Sequence, residues 1–273
     1  MHPARAAIFL LMAWACRAAH LSPPAQQAFA DYVAGVESRL SARHAQPGMP
    51  EPYLPAARQT ASRDEDRAHD LPATAIRAEP VHGGTWSVPG GLLHHWRAAA
   101  FVPGANSQQL MALLRDYGRL STYYAPEVAA SRALKDDGEN AIVAMRFRKR
   151  KILTVVLDAE FETRSGFTGA DRGYSFSRSS HIWQVDAPGS KQERRRAEGD
   201  DDGFLWRLNS YWTFHQMGDG LWMECEAISL TRDVPAGLGW LITPVIQSLP
   251  RESLEFTLNA TRNALRAGRE EHR

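Results

Sequence analysis

With 273 residues, 44% of them hydrophobic and 23% charged, the chain has the composition of a globular protein large enough to bury a core of its own. Its formal net charge of +1 provides no global attraction to nucleic acid or to an anionic bilayer, and no nucleic-acid partner is expected. Of its two cysteines, Cys16 and Cys225, the first lies in a leader-like segment; once that leaves, no internal disulfide can form and stability must come from packing.

Residues 1–19 have the layout of an export signal. Arg5 and the amino terminus are positive, Ala6 to Ala15 form an apolar run, and small residues follow. The run is about ten residues, half of the roughly twenty that cross a bilayer. Cleavage after Ala15 or Ala18 fits the pattern, and the expected location is periplasmic or secreted. Lipid attachment at Cys16 is the lesser alternative, because Ala13 and Trp14 fit poorly before a lipid-modified cysteine. Residues 20–75 then read as an N-terminal helix and a linker. Phe29, Val33, Val36 and Leu40 fall at i, i+4, i+7 and i+11, one stripe of a helix. The tract from Gln46 to about Pro72 is rich in Pro, Ala, Arg and Asp and has no periodicity.

The body is expected over 76–270. HHWRAAAFV (94–102) reads as a strand ended by Pro103-Gly104. Ser107 to Arg119 reads as a helix with Ser107 as its N-cap and Leu110, Leu113 and Leu114 on one face. Pro126 disfavours helical geometry at Ala125, so the helix must stop before the strand at 128–134. Strands follow at AIVAMRFR, ILTVVLDAEFET, GYSFSRSSHIWQV, FLWRLNSYWTFHQ and LWMECEAISLTRD, with Met217-Gly218-Asp219-Gly220 as the hairpin turn between the last two. The C-terminal segment carries Leu254, Leu258 and Leu265 at helical spacing, with Pro250 marking a kink or the start of its second half. Strands followed by one long helix make an α+β protein.

Three stretches carry a resemblance. LLRDYGRLSTYYAPEV, the hairpin WRLNSYWTFHQMGDGLWMECEAISL and the helix GLGWLITPVIQSLPRESLEFTLNATRNAL look like the opening helix and turn, the penultimate strands and the gripping helix of the START and polyketide-cyclase (SRPBCC) superfamily. The chain most resembles exported members with an N-terminal helical extension. The resemblance implies a helix-grip fold, with a curved antiparallel sheet of about six to seven strands wrapped around the C-terminal helix and a separate N-terminal helix.

Alternation assigns the strand faces. Leu153, Val155, Leu157, Ala159 and Phe161 are read as inward, as are Val143, Met145 and Phe147, and Met223, Cys225, Ala227 and Ser229; Glu224 and Glu226 then face out. The strand over 174–185 is ambiguous: one face holds Tyr174, Phe176, Arg178, Ser180 and Ile182, the other Ser175, Ser177, Ser179, His181, Trp183 and Val185. The serine face is taken as inward, a polar strip ending in His181. Tyr123 and Tyr124 are placed at the cavity mouth, Ser210 and Trp212 on the wall, and Leu241 and Val245 on the covering helix.

No HExxH, CxxC, P-loop, G-x-S-x-G or G-x-G-x-x-G occurs. Adjacent His94 and His95 point to opposite faces of a strand and cannot share a metal. No metal ligand set, cofactor or catalytic residue is assigned. The expected role is an exported module that holds an apolar or amphipathic small molecule (lipid, quinone or polyketide-like) between sheet and helix. The alternatives are a cyclase- or hydrolase-like enzyme, with His181 meeting Tyr123 or Ser210, and an envelope interaction protein. The basic turn Arg148 to Lys151 offers a transient contact with a membrane surface.

Overall fold

The computed structural model describes residues 19–45, 76–151, 154–198, 200–233 and 239–270, the side chains of 19, 200, 239–247 and 269–270 excepted. The expected leader up to residue 18, the linker tract and Leu153 lie outside the described residues. In chain order the elements are β1 (Ala19–His20), α1 (Pro23–Ala45), β2 (Arg77–Val88), β3 (Gly91–Pro103), α2 (Ser107–Arg115), α3 (Leu120–Tyr123), β4 (Val128–Asp136), β5 (Asn140–Arg150), β6 (Thr154–Phe167), β7 (Arg172–Asp186), β8 (Arg194–Arg195), β9 (Asp200–Asp201), β10 (Arg207–Met217), β11 (Gly220–Thr231) and α4 (Gly239–Glu270). This is the α+β, helix-grip arrangement, with one more helix in contact with the sheet than the strand pattern required.

Among the described residues the main sheet has nine strands, against the six to seven expected. Its order is β2-β3-β11-β10-β7-β6-β5-β4, with β8 beside β7, and β1 pairs separately with β9. Every pairing is antiparallel. Alternation then splits the side chains between two faces. On one, Ala98, Ala100, Trp212, Phe214, Met223 and Cys225 meet Leu254, Leu258 and Leu265 of α4. On the other, Leu93, Phe176, Tyr211, Ile228 and Leu230 meet Phe29, Val33, Val36 and Leu40 of α1. The helical stripe in the N-terminal segment is therefore the seal of the sheet's outer face, and α1 is part of the body.

Two boundaries differ from the sequence reading. The N-cap of α2 is Asn106, whose side chain accepts from Gln109 N at 2.8 Å while Gln109 Oε1 accepts from Asn106 N at 3.0 Å, a reciprocal capping box. Ser107, read as the cap, instead donates to the carbonyl of Asp171 at 2.5 Å. The helix also stops at Arg115, four residues before the expected end, because Asp116 leaves helical geometry at ψ 61°. The Asp116 carboxylate accepts from the hydroxyl of Tyr123 at 2.6 Å. At the other end of the chain, α4 runs through Pro250 as one helix.

Candidate functional site

Two apolar groups occupy the α4 side of the sheet. The main core, under the C-terminal half of α4, is closed: Phe214, Leu221 and Met223 are fully buried. The second group lies where β5, β6 and β7 run past it. There Leu157, Ala159, Phe161 and Ile182 are buried, whereas Met145, Phe147, Val155, Leu205 and Leu208 around them are only half covered. Phe147 and Phe161 meet edge-on, with ring centroids 5.9 Å apart.

Hydroxyl groups border this second apolar group. Ser210 and Ser177 are direct cross-strand partners, Ser177 also faces Thr163, and Ser179 faces Phe161. Partners across a ladder share a face, so the serine side of β7 lies on the α4 side as expected. Ser177, Ser179, Ser210 and the neighbouring Ala227 are half-buried. Thr163 Oγ1 lies 3.3 Å from Ser177 Oγ, and Ser179 Oγ accepts from Leu208 N at 2.9 Å. Farther along the same face, Ser165 is buried and accepts from Arg115 Nε at 2.8 Å. The hydroxyls thus grade from satisfied and enclosed to half-open.

α4 meets this end of the sheet near Ser253. Lys149, on the inward parity of β5, donates to Ser253 Oγ at 3.0 Å and is paired with Glu127; Lys151 is paired with Glu252. Of the four basic side chains from Arg148 to Lys151, expected in a turn, three lie in β5, and Lys149 and Lys151 are thereby committed to carboxylates. Leu241 and Val245, assigned to the covering helix, have side chains outside the described residues.

The remaining assigned residues divide. Met145, Phe147, Val155, Leu157, Ser177, Ser179, Ser210 and Ala227 are brought to one wall. Trp212 and Cys225 are enclosed in the main core at 5% and 1% exposure, and burial pushes the Cys225 thiol up, away from thiolate chemistry. Ser229 shares their face but is buried beside His94, its cross-strand partner. Tyr124 is a core residue, not a rim residue: it is buried and its hydroxyl lies 2.9 Å from Thr261 Oγ1. Tyr123 is half-buried, its ring under the Arg119 guanidinium and its hydroxyl spent on Asp116.

His181 is the clear correction. The β6–β7 register slips between Glu160 and Phe161, and a one-residue irregularity reverses the parity of everything beyond it. Ile182, not His181, therefore joins the inner apolar group. His181 is exposed on the opposite face, 2.7 Å from Glu198 Oε2 and stacked on Trp183. It does not converge with Ser210, which faces α4, or with Tyr123. The sequence reading also missed Leu208, although the alternation that selected Ser210 and Trp212 reaches Leu208 two positions earlier.

The outer face carries a network that alternation alone could not reveal. Glu224 and Glu226 face out as expected, yet both are buried under α1 at 2% and 1% exposure. Arg39 clasps Glu226 in a two-point pair at 2.6 and 3.2 Å, and Arg43 reaches Glu224 at 2.9 Å. His95 Nε2 lies 3.0 Å from Glu226 and its Nδ1 2.7 Å from the Tyr32 hydroxyl. A carboxylate only accepts, so Nε2 carries the hydrogen and Nδ1 accepts from Tyr32. Burial raises the Glu226 pKa, but the hydrogen bonds from His95 and Arg39 outweigh it and hold the group at about 2. Nearby, Arg43, His44, Arg172 and Thr213 line a cleft of about 10 Å³, room for one water. Among the described residues no cluster of three or more His, Cys, Asp or Glu is placed to hold a metal ion.

No family model and no curated protein matches the chain. Solved structures similar to it include a STAR-related lipid transfer protein from Xanthomonas axonopodis (19% identity, 70% of this chain and 98% of the other, TM-score 0.44). A START superfamily protein from Mycobacterium smegmatis matches at 13% identity over 64% of this chain and 98% of the other, TM-score 0.43. An aromatase/cyclase from a Streptomyces species matches at 11% identity over 65% and 94%, TM-score 0.43.

Proposed function

We propose that the protein is a small-molecule binding module that holds an apolar or amphipathic guest between β5, β6, β7 and β10 on one side and α4 on the other. The observation that carries this reading is the half-covered second apolar group, which joins the buried main core through Met145 and Phe147. A wall of mostly apolar side chains with a few hydroxyls is the usual lining of a small-molecule site. The guest class is a lipid, quinone or polyketide-like compound, and no cofactor is required by the wall's chemistry. We place the protein outside the cytoplasm on the leader-like segment at its start, with the mature chain beginning near Ala19. Native mass spectrometry of the protein purified from an exporting host, followed by organic extraction, tests the reading. A discrete extractable adduct supports it. A clean protein mass that takes up none of a panel of hydrophobic compounds overturns it. Ala227→Trp, which fills the wall beside Ser210, is expected to abolish retention while leaving the thermal unfolding transition cooperative.

A further inference from the structure

We infer that the cleft on the α1 side of the sheet, lined by Arg43 and His44 of α1, Arg172 of β7 and Thr213 of β10, is a second ligand site, which takes one oxygen of a phosphate group. It is separate from the apolar wall facing α4, and neither site depends on the other.

Three parts of the chain build the cleft. Thr213 is buried, and its Oγ1 lies 3.1 Å from His44 Nε2. Thr168, after β6, is exposed at the rim, and Arg172 is half-buried. The space of about 10 Å³ admits one water-sized atom, so a single oxygen enters while the rest of its group stays at the mouth. Arg43 donates to Glu224 at 2.9 Å, and Arg172 lies 3.5 Å from Asp171. A guanidinium carries five N–H donors in a fork that matches phosphate, and one carboxylate does not exhaust it.

Charge selects the occupant. Among the described residues no carboxylate lines the cleft; its ionisable side chains are two guanidiniums and an imidazole. Beside it, His215 faces Arg172 across the β7–β10 ladder. His215 is 1% exposed, and its Nε2 has no hydrogen-bond partner among the described residues. Burial, with Arg43 and Arg172 adding to it against the opposite pull of Asp171, holds the His215 ring at about 4; burial and Arg43 hold His44 at about 4. Both rings are thus kept neutral partly by a cationic neighbourhood. Water fits the space and the donors, but an anionic oxygen also answers the positive field and makes the stronger, charge-assisted hydrogen bonds.

The test titrates inorganic phosphate, phenyl phosphate and sodium chloride separately into the full mature chain in dilute HEPES buffer, read by calorimetry and by the imidazole proton resonances of His44 and His215. Inorganic phosphate is expected to move both sets of resonances along one saturable isotherm. Arg172→Gln is expected to weaken that binding about tenfold, the worth of one charge-assisted hydrogen bond, with an unchanged urea midpoint showing that the variant is folded. Arg43 is left intact, because its loss would strand the buried Glu224. Phenyl phosphate that binds at least as tightly assigns the oxygen to a phosphate ester of a larger molecule; phenyl phosphate that is excluded while phosphate binds assigns it to the free ion. Chloride acting with the same affinity overturns the phosphate assignment. No saturable response, or one undiminished in Arg172→Gln, overturns the site and leaves the cleft to water. Each of these outcomes leaves the binding reading on the α4 side untouched.

Discussion

Glu226 illustrates how much one side chain depends on what covers it. It is a carboxylate on the central part of the sheet, buried under α1 and held by Arg39 and His95. Its folded pKa of about 2 lies below the ordinary 4.5, so the stability it contributes is complete above pH 4.5 and is lost as pH falls toward 2. Glu226→Gln keeps the shape but leaves Arg39 and His95 without their anion; a loss of about 3 kcal/mol in urea unfolding at pH 7 is expected. The variant's stability is also expected to be flatter between pH 4.5 and 2 than that of the native chain. At the opposite extreme, His181→Ala is expected to leave ligand retention unchanged in the extraction assay, because His181 is exposed on the outer face with Glu198. The alternation along parts of β5, β6 and β11 was legible because apolar and polar residues take turns over 145–148, 157–162 and 223–226. The same rule misplaced His181 because the register slip opposite it is a backbone event with no residue-type signature.

At the scale of elements, α1 behaves as an outer layer of the sheet. Its apolar stripe could be read from spacing, since four residues at helical intervals must be buried against something. What they are buried against could not, because the partners lie on strands far along the chain and the buried Glu224 and Glu226 resemble ordinary solvent-facing acids. Phe29→Ala is expected to cost about 3 kcal/mol, the usual result of emptying a buried aromatic site. Deletion of residues 20–45 exposes both carboxylates, His95 and the ring of Tyr211 at once; such a chain is expected to lose its cooperative thermal transition, not to persist as a folded body without its extension. The α2 boundary is a smaller case of the same kind. Asn106 and Ser107 are both good caps by type, and only the reciprocal bond with Gln109 decides between them. Asn106→Ala should cost about 1 kcal/mol in the same unfolding measurement.

Across the whole molecule, the buried histidines set the acid limit. Burial lowers His94 from 6.5 to about 4, and burial together with the nearby Arg43 lowers His44 and His215 from 6.5 to about 4 as well. All three are neutral in the folded chain and take up protons on unfolding. Their contribution is complete above pH 6.5 and is lost as pH falls toward 4. The melting temperature is therefore expected to be level above pH 7 and to fall steadily from pH 6.5 to pH 4. A melting temperature that stays level to pH 5 would mean that these groups gain charge without penalty, contrary to their enclosed positions.

Arg39 and Arg43 also impose an order of events on synthesis. Each is separated from its carboxylate by more than 180 positions, 187 for Glu226 and 181 for Glu224. At ordinary elongation rates of about 5–20 residues per second, helix α1 leaves the ribosome roughly ten to forty seconds before the strand that receives it exists. Throughout that interval its two guanidinium groups lack the carboxylates that later hold them, while Leu93 of β3 already offers the apolar stripe a partner. The last strand made thus completes the seat of the first helix, and a nascent chain halted before Gly220 carries α1 without Glu224, Glu226, Ile228 and Leu230 beneath it.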